Sequence, residues 1–297
     1  MLLLCFNSAK MRIPTNKLSS IQKFANSELA QIYAPNEIQS FFFLLCKYYL
    51  GMSKTEVILN KDQAVSESEL LKFNFAIKDL KAEKPIQYIL GETEFFGIDF
   101  KVNNHTLIPR PETEELLSWI IEEEKLKPNI KILDIGTGSG CIAVSLSKSI
   151  AGAEVWGIDI SPEALEIAKL NNKNLNASVE FRILNILNPQ HKLNNVFDVI
   201  VSNPPYVLQS EQALMKNNVL KYEPGKALFV EDSDPLLFYK KIIDFSDTHL
   251  IKNGSIYFEI NENMGNEIYN LLESKNFNSI ELRKDLYGKD RMVRAKK

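Results

Sequence analysis

Asn203-Pro204-Pro205-Tyr206 is the segment of this sequence with the clearest chemical capability. It follows the apolar run Val199-Ile200-Val201, and two successive prolines must end a strand there because neither has an N–H for the ladder. Asn203 Oδ1 and the Pro204 carbonyl can each accept one hydrogen of a planar –NH2 group, with Tyr206 as a flat face for an amide or a base. An amide nitrogen is a poor nucleophile because its lone pair is delocalised into the carbonyl. Two acceptors that polarise its hydrogens and aim the lone pair at an electrophilic methyl supply positioning and electrostatic stabilisation. No strong base has to act first, since the proton becomes acidic once the methyl is attached. A bare Pro-Pro turn needs neither Asn before it nor Tyr after it. The segment alone does not choose between an amide and the exocyclic amine of a base.

A second group of residues is of the kind that holds a nucleoside. Asp134-Ile135-Gly136-Thr137-Gly138-Ser139-Gly140 closes an apolar strand and opens a helix, the place where open α/β sheets bind ligands. The three glycines let the backbone turn sharply and approach a ligand, and the helix N-terminus favours a carboxylate such as that of a methionine moiety. The spacing is not that of a dinucleotide fingerprint, and no Lys-Ser/Thr follows as in a phosphate-binding loop. Such a turn can also serve packing alone. Against that reading, Asp159 ends the next strand, where a carboxylate can accept from both ribose hydroxyls. Its structural alternative is to cap the helix that starts at Pro162, but Ser161 is closer. After the third strand, Asn185 offers a donor and an acceptor at the adenine position and Ile186 an apolar wall; taken alone, Asn185 is a loop residue.

These residues require a scaffold, and the periodicities predict one. Strands are expected at 131–135, 154–159, 179–184, 198–202 and 255–260, with helices at 141–150, 162–175 and 235–250. A final antiparallel pair is expected near 279–286 and 291–295. Such alternation predicts an open, mostly parallel sheet with helices on both faces. Before it, 85–107 reads as a linking β-hairpin punctuated by Gly91 and Gly97. Residues 1–84 read as a small helical bundle: one helix capped by Ser19 or Ser20 to about residue 33, one over 37–50 ended by Gly51, a short one from Ser53, and one from Ser66 to about residue 81.

The 297 residues are 45% hydrophobic and 25% charged, the composition of a globular protein with a real core. A net charge of -3 weighs against a protein that grips duplex nucleic acid. Cys5, Cys46 and Cys141 are too scattered for a disulfide framework, and His105, His191 and His249 lack ligand spacing, so no metal is expected. The apolar start Met1–Phe6 lacks the features of a signal peptide, no transmembrane stretch follows, and Met11 is an alternative initiator.

At these residues the chain resembles the PrmC/HemK family, the glutamine methyltransferases of peptide chain release factors. The resemblance covers nearly the whole chain. It includes Gly91-Glu92-Thr93-Glu94-Phe95-Phe96-Gly97, the run Leu107-Ile108-Pro109-Arg110-Pro111-Glu112-Thr113-Glu114, and Tyr222-Glu223-Pro224 followed by Ala227-Leu228. It implies a class I S-adenosylmethionine-dependent methyltransferase, Rossmann-like over 108–297, plus the helical bundle as a release-factor-binding domain. The implied cofactor is S-adenosyl-L-methionine, held by Asp134, Gly136, Thr137, Gly138, Ser139, Gly140, Asp159, Asn185, Ile186 and Asn203. Asn203, Pro204, Pro205 and Tyr206 would hold the glutamine of a Gly-Gly-Gln loop. Arg110 and Glu112 either order the pocket or touch the partner; equally they are a loop residue and a first-turn acid. Asn185 stands where many relatives carry Asp, and Lys221 where many carry Arg.

A cytoplasmic monomer acting on release factors, with no membrane and no stable nucleic-acid partner, is the expectation. Two others remain open: an adenine methyltransferase of DNA or RNA, which would have to flip its base and grip phosphates, and a non-catalytic cofactor-binding module. Intact Asn203 and Tyr206 and the long segment 207–234 speak against the second.

Overall fold

The computed structural model describes residues 13–188 and 193–297, so Cys5, His191 and the expected start at Met11 lie outside the described residues. The chain divides into two compact units that part between Leu90 and Gly91.

The first unit contains α1 (Leu18–Leu29), α2 (Pro35–Leu50), α3 (Lys54–Leu59), α4 (Glu67–Lys81) and α5 (Ile86–Leu90) around Leu18, Ile21, Phe42, Leu45, Phe73 and Ile77. Ser53 and Ser66 each form a reciprocal capping box, with Glu56 and Glu69, which satisfies two orphan donors at each helix start. Three boundaries differ from expectation. Helix α1 starts at Leu18 with Lys17 at its N-cap and no side-chain cap, so Ser19 and Ser20 lie within the helix and neither caps it. Helix α1 stops at Leu29, because Pro35 holds Ala34 extended and the chain must leave the helix before it. The hairpin expected from residue 85 starts later: Pro85 opens α5, accepting from the Tyr88 and Ile89 amides, and Ile86 is buried in the bundle core.

The second unit begins with the antiparallel hairpin β1 (Glu92–Phe95) and β2 (Ile98–Lys101), then α6 (Pro111–Glu124). Strands and helices then alternate: β3 (Lys131–Ile135), α7 (Cys141–Ser149), β4 (Glu154–Asp159), α8 (Pro162–Asn174), β5 (Val179–Ile183) and β6 (Phe197–Ser202). The segment expected as a long loop is folded on itself. It holds β7 (Val207–Leu208), α9 (Asn217–Tyr222) and β8 (Phe229–Val230), with β7 and β8 paired in parallel. After it come α10 (Leu237–His249), β9 (Leu250–Glu259), α11 (Gly265–Ser274), β10 (Asn278–Lys284) and β11 (Asp290–Lys296). Helix α11 was not anticipated, since its apolar face is narrow: Ile268 and Leu272 are buried in the core and Leu271 packs at its edge.

The main sheet runs β10-β11-β9-β6-β3-β4-β5. The five strands from β9 to β5 are parallel and the C-terminal pair is antiparallel, as the alternation predicts. Parallel strands covered on both faces need apolar residues at consecutive positions. Accordingly Leu133, Ile200, Ile256 and Phe258 join the layer of α10 and α11, while Ile132, Val199, Val201 and Tyr257 join that of α6 and α7.

Strand order reverses between β3 and β6, which opens a crevice at their C-terminal ends. Among the described residues no helix is long and apolar enough to cross a membrane.

Candidate active site

Register brings the two chemical segments together. Ile135 pairs with Ser202 on one side of β3 and with Ile158 on the other. Gly136 therefore leaves the sheet between Asn203 and Asp159. The Ser202 hydroxyl donates to the Ile135 carbonyl at 2.7 Å, and the Gly136 and Thr137 amides donate to Ile158. Asp159 pairs with Ile183, so Asn185 stands one strand further along the same edge.

Gly136, Gly138 and Gly140 all have positive φ, 74°, 54° and 79°. A Cβ on either of the first two would meet nothing within 4 Å, so the backbone presents open space there. Gly140 differs. A Cβ there would approach Ala168 Cβ to 3.1 Å and the Phe181 ring to 3.2 Å, which makes it a packing position under α8 and β5. The loop is pinned from α8 by buried Asn171, whose amide donates to the Ser139 and Lys101 carbonyls.

Two buried polar atoms in this loop, Asp134 Oδ1 and Ser139 Oγ, make no close hydrogen bond among the described residues, although the Ala143 amide still helps to lower the Asp134 carboxyl. A fully buried carboxylate with one orphan oxygen is costly unless a donor or cation completes it. The open space at Gly136 and Gly138, with the Asp159 carboxylate beside it, fits a nucleoside ligand, whereas fully buried Asp134 supports the loop through Thr137. The other Asp134 oxygen accepts from the Thr137 hydroxyl at 2.6 Å. Asp159 accepts from the Gly138 amide at 2.8 Å and the Ser161 amide at 2.9 Å. Each of those oxygens keeps a lone pair for a hydroxyl. Ser161 caps α8 through Ala164, as expected. Asn185 spends its Oδ1 on the Leu187 amide at 3.0 Å, and Ile186 packs at the edge of the core.

Burial pushes the Asp134 carboxyl up to about 7, with the Thr137 hydroxyl opposing and Asp159 adding repulsion. A folded value above the unfolded 3.8 means that stability is fully present below about pH 4 and is lost as pH rises to about 7, by about 4 kcal/mol. Asp134→Asn removes this dependence and keeps an acceptor for Thr137. At pH 8 the ligand-free variant should melt above the wild type, and the gap should shrink towards pH 5. Parallel melting curves across that range would mean that Asp134 stays ionised throughout.

At the end of β6, Pro204 is buried and Asn203, Pro205 and Tyr206 are half-buried. No hydrogen bond among the described residues ends on Asn203 Oδ1 or on the Pro204 carbonyl. The Asn203 amide donates to Thr113 Oγ1 at 3.2 Å. Thr113 donates to Glu259 Oε2 at 2.7 Å, and the Tyr206 hydroxyl donates to Glu259 Oε1 at 2.8 Å. Burial raises the Glu259 carboxyl, opposed by the Thr113 and Tyr206 hydroxyls and by the Arg291 charge. Burial, and then the Glu259 charge, hold the Tyr206 and Tyr239 hydroxyls well above their usual range, so both remain donors.

Arg110 and Glu112 lie on either side of the α6 start. Arg110 pairs with Glu223 Oε1 at 2.6 Å, and the Ile108 amide donates to Glu223 Oε2 at 3.2 Å. The Glu223 side chain is 1% exposed. The pair thus ties the folded segment after Asn203-Tyr206 to the chain entering α6. Glu112 sits in the first turn of α6, where its charge raises Glu259 slightly. Lys221 lies over the Tyr222 ring. His249 contacts the Phe245 and Leu193 carbonyls through its two ring nitrogens. Among the described residues no cluster of His, Cys, Asp and Glu could hold a metal.

Sequence reasoning missed Glu259 and Asn171, and it gave no role to Thr113 and Glu223 although both stand in the runs that carry the resemblance. Glu259 left a signal, being a carboxylate at the C-terminal end of an apolar strand.

The comparisons with known proteins are consistent along the chain. Residues 126–276 match the methyltransferase domain family, and residues 20–91 match the PrmC N-terminal domain family. The release factor glutamine methyltransferase of Flavobacterium psychrophilum is 49% identical over 90% of this chain and 94% of the relative. That of Bacteroides thetaiotaomicron is 40% identical over 94% of this chain and 99% of the relative. A crystal structure of a methyltransferase from Pyrococcus furiosus aligns with a TM-score of 0.50 at 21% identity, over 68% of this chain and 90% of that one, a likeness of fold alone.

Proposed function

The chain belongs to the release factor glutamine methyltransferase family, and from that premise we propose that it methylates the side-chain nitrogen of the Gly-Gly-Gln glutamine in peptide chain release factors. The observation that carries this reading is the pair of free acceptors, Asn203 Oδ1 and the Pro204 carbonyl, set beside the glycine loop by the β3–β6 register.

The methyl donor is S-adenosyl-L-methionine, which when bound supplies an electrophilic methyl on a sulfonium. Gly136 and Gly138 would shape its cradle, Asp159 would accept from its ribose hydroxyls, and buried Asp134 would hold the loop in place through Thr137. Asn185 and Ile186 border the adenine.

Asn203 Oδ1 and the Pro204 carbonyl each accept one hydrogen of the glutamine amide, which turns its lone pair toward the methyl. Tyr206 walls the amide plane, and its hydroxyl, held protonated, is not a base. Transfer of the methyl would break its bond to the sulfonium sulfur, which leaves as a neutral thioether, and the four-bonded nitrogen would then lose its acidic proton to water. The work of this chain is thus positioning and the stabilisation of charge that develops on the amide.

The helical unit, expected over 1–84 and continued by α5 to Leu90, serves as the release-factor-binding part, and the hairpin expected to link the units opens the methyltransferase unit instead. Its support is the match to the PrmC N-terminal domain family. A cytoplasmic location goes with such a partner.

The test is incubation with labelled S-adenosylmethionine plus a release factor, duplex DNA, or neither. Label is expected on the release factor, at the glutamine of its Gly-Gly-Gln loop. Label on DNA alone would overturn the reading.

A further inference from the structure

We propose that Thr113 and Glu259 are positioning residues that lock the orientation of the Asn203 side-chain amide, so that its oxygen and not its –NH2 faces the substrate nitrogen. The inference rests on the reading of Asn203 as a substrate acceptor.

A side-chain amide has nearly the same shape in its two flipped orientations, so packing does not choose between them. The choice matters here. With the amide turned one way, Asn203 accepts a hydrogen from a substrate –NH2; turned the other, two donors face each other and the substrate loses an acceptor. Some neighbour must therefore distinguish oxygen from nitrogen, and the residues beside Asn203 do so through the number of protons they hold.

Glu259 accepts at both of its oxygens, Oε2 from Thr113 and Oε1 from Tyr206, so it offers neither hydroxyl a donor. It lies 1% exposed at the last position of β9. Two hydroxyls converge on it, Thr113 on Oε2 at 2.7 Å and Tyr206 on Oε1 at 2.8 Å. Thr113 has a single hydroxyl proton, and that proton goes to Glu259. Its oxygen can then only accept from its remaining neighbour, the Asn203 amide at 3.2 Å. A hydroxyl with its proton committed elsewhere rejects Oδ1 and admits Nδ2. The direction of donation runs Asn203 to Thr113 to Glu259, and Oδ1 is left facing away from Thr113.

The same carboxylate fixes Tyr206, so one buried group orients both polar side chains of the Asn-Pro-Pro-Tyr segment. Glu259 is itself held from several sides. Tyr239 donates to its backbone carbonyl at 3.0 Å, and the Arg291 guanidinium offsets its charge. Thr113 comes from the first turn of α6 and is 3% exposed. Thr113, Asn203 and Glu259 thus come from α6, the residue after β6 and the end of β9, distant in sequence and meeting at this edge of the sheet.

The test uses Thr113→Val, which keeps the shape and removes the hydroxyl, with Thr113→Ser as the conservative variant that retains it. For the full chain, kcat on a release factor should fall about 10- to 100-fold in Thr113→Val. KM for the release factor and affinity for S-adenosylmethionine should stay within about twofold, and Thr113→Ser should recover most of the rate. In parallel, hydrogen exchange of the Asn203 side-chain –NH2, followed by NMR, should be slow in the wild type and in Thr113→Ser and at least about tenfold faster in Thr113→Val. A Thr113→Val enzyme with unchanged kcat overturns the proposal, and so does a Thr113→Ser enzyme that falls as far as Thr113→Val. If Thr113→Val does not fold, Glu259→Gln replaces it: one acceptor oxygen cannot take both hydroxyl protons, so kcat should fall and exchange should quicken. Unchanged kcat and exchange in that variant would overturn the proposal as well. A wild-type enzyme that leaves release factors unlabelled sinks the functional reading instead, and the exchange rates still decide whether the relay exists.

Discussion

Asn203→Ala lowers kcat by about three orders of magnitude and leaves the affinity for S-adenosylmethionine within about threefold. The expected loss follows from what the side chain is asked to do. Its Oδ1 is one of two acceptors available to the substrate amide, and an amide nitrogen left with a single acceptor keeps its lone pair delocalised and unaimed. Binding of the cofactor is proposed to rest on other residues, at the ends of β3, β4 and β5, so it should survive. The variant also leaves Thr113 without a donor, but that hydroxyl keeps its own bond to Glu259, and the fold should hold. Steady-state kinetics on a release factor together with calorimetry of the cofactor separate the two effects. Near-normal turnover would remove Asn203 from the mechanism.

Asp159→Ala is expected to do the converse, weakening the cofactor by about a hundredfold or more. Two hydrogen bonds to a charged acceptor contribute about 1.5–3 kcal/mol each, and loss of both ribose contacts alone amounts to that factor. The structure adds a second cause. Asp159 accepts from the Gly138 and Ser161 amides, so its removal orphans one donor in the glycine loop and one at the start of α8. Burial raises the Asp159 carboxyl, while those amides pull it back toward ionisation. The loop should therefore lose order as the ligand contact is lost. Calorimetric titration is the direct measurement, and a dissociation constant within about threefold of the wild type would show that the ribose lies elsewhere. At saturating cofactor, kcat should recover much of its wild-type value, which distinguishes this variant from Asn203→Ala.

Much of the site was legible because its residues carry their signals locally. Pro204 and Pro205 announce the end of a strand by their missing N–H groups. Gly136 and Gly138 mark a turn at positive φ that side chains rarely follow, and Ser161-Pro162 marks a helix start. Expectation and structure part where long-range contact decides. The roles of Arg110 and Glu112 stayed open in the sequence, because nothing local says that Arg110 pairs with Glu223 across the folded segment after Tyr206. Gly140 reads like its two neighbours, yet Ala168 and Phe181 make it a packing residue. Helix α5 looked like the start of a hairpin because its apolar residues are few and short-range pattern cannot show that Ile86 is buried against the bundle.

The sequence by itself determined the alternating sheet, the glycine loop, the acid after the next strand and the row of acceptors at Asn203-Pro204. Each depends on backbone chemistry within a few residues. Tertiary structure alone decided the partners of those groups. Thr113, Asn203, Tyr206 and Glu259 are spread across the domain, and only the order and register of β3, β6 and β9 bring them within hydrogen-bond reach. Hydrogen bonds are short and directional, whereas the sequence pattern reports burial and periodicity but not which buried group meets which.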